Sequence, residues 1–131
     1  MPIKIDISIG ELVDKVTILS IKRKKIEDKN KRINIEREYE LLSTVMEDAG
    51  IKVGSLEFKS LMDVNLKLWH IEDDIRIKEA KKEFDEEFIQ LARSVYFEND
   101  KRAKIKKDIN KKYNDELSEE KEYVDYQGKQ K

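Results

Sequence analysis

The segment Ser55–Lys82, SLEFKSLMDVNLKLWHIEDDIRIKEAKK, decides the fold. Leu61, Val64, Leu68, Ile71 and Ile75 recur at alternating steps of 3 and 4 residues. That spacing holds five apolar side chains on one stripe of an α-helix, in the manner of a short coiled-coil seam. Ser55 stands where an N-cap is needed, its hydroxyl able to accept from a backbone N–H of the first turn. Such a helix must bury its stripe against other helices, because little of its stability comes from propensity alone.

Working back toward the N-terminus, Gly50 to Gly54 is the clearest loop. Before it, Ile35, Tyr39, Leu42, Val45 and Met46 predict a second helix over about Lys31 to Asp48. A first helix is expected from Ile9 to about Asp28, with Ile9, Leu12, Val16, Leu19 and Ile26 on its seam. Ser8-Ile9-Gly10-Glu11 reads as a capping box at its start, the Ser8 hydroxyl accepting from the N–H of Glu11 and the Glu11 carboxylate reaching back. Ahead of it, Ile3-Lys4-Ile5-Asp6-Ile7 alternates with period 2 and predicts a short strand. A lone strand is not stable. The other strand-like segment is Tyr123-Val124-Asp125-Tyr126. Either the two ends of the chain pair, or the strand pairs with its copy in a second chain.

Toward the C-terminus, Asp85 restarts a helix whose core stripe is Phe84, Phe88, Leu91 and Val95. Asn99 and Asp100 have the residue types of a cap and read as the start of a further helix, in which case the stripe resets. If the helix instead runs on to about Asn114, Asn99, Arg102 and Lys106 fall on the buried stripe. The expectation is a mainly α protein. It is an antiparallel bundle of four to five helices, with helices 1 and 3 as its spine and a short N-terminal strand whose partner is open. It is a single helical domain over residues 1–131, with a polar tail from about residue 127.

Composition narrows the chemistry. Of 131 residues, 44% are charged, yet 28 Lys and Arg against 29 Asp and Glu leave a net charge of −1. High charge that cancels suits salt-bridged helices better than a disordered polyelectrolyte. The absence of cysteine excludes disulfides, cysteine-ligated zinc and thiol nucleophiles. The one histidine, His70, cannot build a multi-histidine metal cage within one chain, and a surface role is expected for it. The first residues do not have the pattern of a secretory signal, and no apolar run has the length of a membrane span. A cytoplasmic protein is therefore expected.

Two constellations could carry function. On helix 3, Trp69, Glu72, Arg76 and Glu79 follow i, i+3, i+7, i+10 spacing beside the seam, with Asn65 extending the line backward. A ring face beside a guanidinium suits a ligand bearing a carboxylate or phosphate. The same residues equally make an ordinary i, i+4 ion pair over a core tryptophan. On helix 4, Asn99, Arg102 and Lys106, with Arg93 nearby, could hold an anion if the helix is unbroken. The acidic run from Glu72 to Glu87 lacks the carboxylate pattern of helical magnesium-dependent nucleotide hydrolases and reads as a solvated face. The basic run from Lys22 to Arg32 carries no interleaved aromatic and reads as a solvated helix end rather than a nucleic-acid site.

Four segments carry a family resemblance: Ile7–Lys22 (ISIGELVDKVTILSIK), Leu68–Arg76 (LWHIEDDIR), Phe84–Asn110 (FDEEFIQLARSVYFENDKRAKIKKDIN) and Glu119–Tyr126 (EEKEYVDY). They resemble a domain-of-unknown-function family of short helical proteins from bacteria and their viruses, some encoded near glycosyltransferases. The resemblance implies an all-helical protein with a role around cell-surface sugar assembly. It identifies no catalytic residue, so none is carried over.

The leading expectation is a small helical binding or accessory protein, homodimeric through the helix 3 seam or the unpaired strand, with no metal site and no assigned cofactor. The alternative is an enzyme or sensor for an anionic small molecule such as a nucleotide sugar. It would use Trp69, Glu72, Arg76, Arg93, Asn99, Arg102 and Lys106. Geometry separates the two: convergence of these side chains on one cleft favours the ligand reading, and scattered solvent-facing positions remove it.

Overall fold

The structure, a computed structural model, describes residues 1–113, 120 and 126. Four helices follow in order: α1 (Ile9–Lys25), α2 (Lys29–Asp48), α3 (Leu56–Ala80) and α4 (Glu86–Lys112). The described residues form a mainly α-helical bundle. α1 lies at its centre and packs on each of the other three, α3 and α4 pack on each other, and the helix contacts of α2 run along α1 alone.

Each helix starts at the residue whose side chain can take an orphan backbone N–H. Ser8 accepts from Glu11 N, Asp28 from Lys31 N, Ser55 from Phe58 N and Asp85 from Phe88 N. Asp28 therefore opens α2 instead of closing α1, and α1 ends at Lys25. Arg32 seals that junction, its Nη1 donating to the carbonyls of Arg23 at 2.7 Å and Ile26 at 2.9 Å. Arg23 in turn donates to Glu36 at 2.9 Å and stacks over the Tyr39 ring. Two members of the expected solvated basic run thus fasten α1 to α2.

α2 ends in a Schellman motif. Ile51 N donates to Met46 O and Gly50 N to Glu47 O, with Gly50 at φ 95. The motif drops Ile51 onto Met46 in the core, where both are fully buried with Val13, Val16 and Leu61. α3 ends in the same motif, with Glu83 N to Lys78 O, Lys82 N to Glu79 O, and Lys82 itself at φ 54. Lys78 Nζ then gathers Glu83, Asp85 and Glu87 within 3.2 Å and closes the turn into α4.

Three expectations change. No strand forms at Ile3–Ile7: residues 1–8 have no regular structure, and Ile3 and Ile5 are exposed. No other strand among the described residues offers its edge, and a single strand leaves its backbone groups unpaired. Of the proposed partner segment, 123–125 lie outside the described residues, as does the tail from 127. Tyr126 packs its ring on Tyr96 and Phe97. Second, α4 is unbroken, so Asn99-Asp100 is no cap and the described residues form four helices, not five. Packing of α4 along both α1 and α3 outweighs the capping preference of two residues, as tertiary contacts routinely outweigh propensity. Third, the α3 seam from Leu61 to Ile71 is buried inside the chain, so it is not available to a second copy.

Candidate functional site

α1 carries only two charges between Leu12 and Ile21, Asp14 and Lys15, in a chain that is 44% charged. A helix so poor in charge sits at the centre, and an acid within it must find partners there. Asp14 is 1% exposed. Its Oδ1 accepts from Arg102 Nε at 2.9 Å and from Asn65 Nδ2 at 2.8 Å, and its Oδ2 from Arg102 Nη2 at 2.5 Å. Asn65 Nδ2 also reaches Thr17 Oγ1 at 2.8 Å, and Thr17 donates to the Asp14 carbonyl. One carboxylate therefore ties α1 to both α3 and α4.

One turn toward the start of α1, Lys106 Nζ meets Glu11 at 2.8 Å and lies 3.9 Å from Asp14. Lys106 takes the Glu11 carboxylate that a capping box would turn back to Ser8. One turn further, the Asn110 side chain accepts from Gly10 N at 2.7 Å. Gly10 makes this closeness possible. A Cβ there would stand 2.5 Å from the Lys106 carbonyl oxygen and 2.9 Å from Asn110 Oδ1. Among the described residues the α1–α4 interface is thus a ladder of polar pairs in which the anions Glu11 and Asp14 face the cations Arg102 and Lys106. Pairing and hydrogen bonding together make such burial tolerable.

Above this ladder opens a cleft of about 450 Å³. Ile18 and Ile21 of α1 line one side. Asn65, Leu68, Trp69, Glu72, Asp73 and Arg76 come from α3, and Asn99 and Arg102 from α4. The unbroken α4 brings Asn99 and Arg102 to the same cleft as the Trp69 group. Glu72 and Arg76 form the expected i, i+4 pair, Nε to Oε2 at 3.4 Å, with both side chains reaching solvent. Arg102 is 28% exposed, bound to Asp14 while lining the cleft.

Five of the seven residues singled out from the sequence therefore converge: Trp69, Glu72, Arg76, Asn99 and Arg102. Lys106 is buried in the ladder beneath. Arg93 is exposed further along α4, with its guanidinium 5.6 Å from the Phe97 ring centre, and does not line the cleft. Asp14, Thr17 and Asn110 were not singled out from the sequence, and Glu11 only as part of a cap, not as the partner of Lys106. The scarcity of charge in α1 is the signal that points to Asp14, because it marks a helix surrounded on all sides. Elsewhere on the α3–α4 contact, Glu98 is buried between Lys67 at 3.0 Å and Lys101 at 3.2 Å. Burial pushes its carboxyl up, but the two lysine hydrogen bonds outweigh it and hold the group below its ordinary range. Among the described residues no cluster of His, Asp and Glu is arranged to hold a metal ion, and no helix is long and apolar enough to cross a membrane.

The model of DUF6165, a family of unknown function, matches residues 3–127. No curated protein and no solved structure matches the chain. With the match covering nearly its whole length, the chain belongs to the DUF6165 family.

Proposed function

We propose that this small helical protein binds a phosphorylated sugar, in the manner of a nucleotide sugar, in the cleft between α1, α3 and α4. The observation that supports this is the convergence of Trp69, Glu72, Arg76, Asn99 and Arg102 from two helices on one concavity. Its volume lies within the ordinary range for small-molecule sites.

The mixture of charges argues for the ligand class. A polyanion alone would meet repulsion from Glu72 and Asp73. A ligand with hydroxyls and one anionic group fits both halves. Ionised carboxylates are acceptors only, so Glu72 and Asp73 would accept hydrogen bonds from sugar hydroxyls, and Asn99 would both donate and accept. Arg76, tied only by a long exposed pair to Glu72, can exchange that contact for a phosphate, to which a guanidinium binds in two-pronged fashion. Trp69 supplies an apolar ring face. An accessory role in cell-surface sugar assembly, which the resemblance implies, would present such a ligand.

The test is a thermal-shift series with UDP-glucose, UDP, glucose 1-phosphate and glucose. A ligand that binds only the folded state raises the midpoint by mass action, about 2.7 kcal/mol at a concentration of 100 Kd. UDP-glucose or glucose 1-phosphate should raise it, glucose should not, and Trp69→Ala and Arg76→Ala should abolish the rise. No shift with any of the phosphorylated compounds at millimolar concentration would sink the reading.

A further inference from the structure

α2 is charged against its own dipole. Helices favour acids in the first turn and bases in the last. The other three comply: Glu11, Glu57 and the pair Glu86 and Glu87 open them, and Lys25, Lys78 and Lys112 stand in their last turns. α2 has no acid in its first turn and no base in its last. Its first half carries Lys29, Lys31, Arg32 and Arg37 against Glu36, and its second half carries Glu38, Glu40, Glu47 and Asp48 with no base at all. Arg32 and Glu36 are used on α1. The side chains of Lys29, Lys31, Arg37, Glu38, Glu40, Glu47 and Asp48 are exposed and make no ion pair among the described residues.

The same outward face is apolar along one line. Ile33, Leu41 and Val45 are 58%, 65% and 48% exposed. With Arg37 they form an i, i+4 ridge, the kind that packs into the groove of another helix. The backbone of α2 runs along α1 alone among the helices, and Ile33, Leu41 and Val45 stay open to solvent among the described residues.

We infer that the outer face of α2 is an interface with a second copy of this chain, paired antiparallel about a two-fold axis. Charge complementarity names the occupant. An antiparallel copy sets the basic half of one α2 on the acidic half of the other, and opposes the two helix dipoles favourably. Centred on the ridge, the pairing puts Ile33 opposite Val45 of the second copy, and Leu41 opposite the aliphatic stem of Arg37 of the second copy. Lys29 and Glu47 lie about five full turns apart, hence on the same flank. A two-fold axis of this kind brings like flanks together, so Lys29 of each copy meets Glu47 of the other. The arrangement closes on itself, as an isologous dimer must.

The test is light scattering after size exclusion, over about 1 to 300 µM chain, since association follows mass action. The full chain should rise to twice its monomer mass as concentration rises, and should dissociate between about 0.05 and 0.5 M salt as the charges are screened. Leu41→Lys should raise the dissociation constant at least about tenfold. Lys29→Glu and Glu47→Lys should each raise it several-fold, and the double variant K29E/E47K should return it to within about twofold of the original. Each single swap brings α2 into accord with its dipole, so circular dichroism should show the fold intact in both. A monomer at every concentration overturns the proposal. So does a dimer indifferent to Leu41→Lys, or a double variant weaker than either single one.

Discussion

Replacing Arg102 by alanine should cost more stability than replacing Asp14, although the two form one ion pair. The reason is the asymmetry of their burial, 1% exposure for the Asp14 side chain against 28% for Arg102. Without Arg102 the carboxylate keeps Asn65 Nδ2 at 2.8 Å, and a Lys106 ammonium at 3.9 Å that already serves Glu11. Breaking a buried pair in this way costs about 3–5 kcal/mol, and Lys106 sets the figure here near the lower end, about 3 kcal/mol. Without Asp14 the guanidinium can turn into the cleft and be hydrated. Asn65 still holds Thr17 Oγ1. The loss is then the net worth of the hydrogen bonds to a charged group, about 1.5 kcal/mol. The assay is urea unfolding followed by circular dichroism. Both variants should lower the midpoint with unchanged slope, Arg102→Ala by more, and the gap of about 1.5 kcal/mol should separate the two midpoints by roughly 0.5–1.5 M urea. In the double variant neither charge is stranded, so its cost should fall below the sum of the singles by about 2 kcal/mol. Asp14→Ala costing as much as Arg102→Ala, or two effects that simply add, would refute the stranding of a buried carboxylate as the cause.

Gly10→Ala should destabilise by about 2 kcal/mol or more, because the added methyl meets backbone oxygen of α4 that cannot move without parting the helices. Lys82→Gly should do the opposite and stabilise by about 1 kcal/mol, since glycine adopts the positive φ of that turn freely. Both are read from the same urea curves. Stability should also fall in acid. Hydrogen bonds from Lys78 and then from Phe88 N hold the Asp85 carboxyl below its ordinary 3.8, and Glu98 sits below 4.5 because its two lysines outweigh its burial. Groups depressed in the folded state are protonated more readily in the unfolded chain. Their contribution is complete above the unfolded values and is lost as pH falls through the folded ones. Unfolding midpoints should therefore be level above about pH 5.5 and decline below about pH 4.5, and Glu98→Gln should flatten the decline. A level profile down to about pH 3 would count against this account.

The helices were largely legible without the structure. The 3, 4, 3, 4 spacing of α3, the caps at Ser8, Ser55 and Asp85, and the stop at Gly50 are local signals, and each acts locally in the fold. What misled were signals that are local in form but settled elsewhere. Ile3–Ile7 alternates like a strand, yet a strand exists only with an edge to pair with. Asn99-Asp100 has the chemistry of a cap, yet α4 passes through it because α1 and α3 hold both sides of that junction. The cleft was half legible. Trp69, Glu72 and Arg76 share a helix face by arithmetic, but whether Asn99 and Arg102 joined them depended on α4 being continuous.

By itself, then, the sequence determined the helical class, the places where helices begin, and the set of polar residues lying on or beside apolar stripes. Periodicity and capping act over three or four residues, so one chain segment carries all the information. Only the tertiary structure decided which stripe faces which. It placed Asp14 at the meeting of three helices, brought residues 10 to 14 of α1 against 102 to 110 of α4, and left one face of α2 exposed among the described residues. Contacts between residues about a hundred positions apart are set by how whole helices pack. That packing is a balance of buried area, paired charge and close approach, and no short window of sequence contains it.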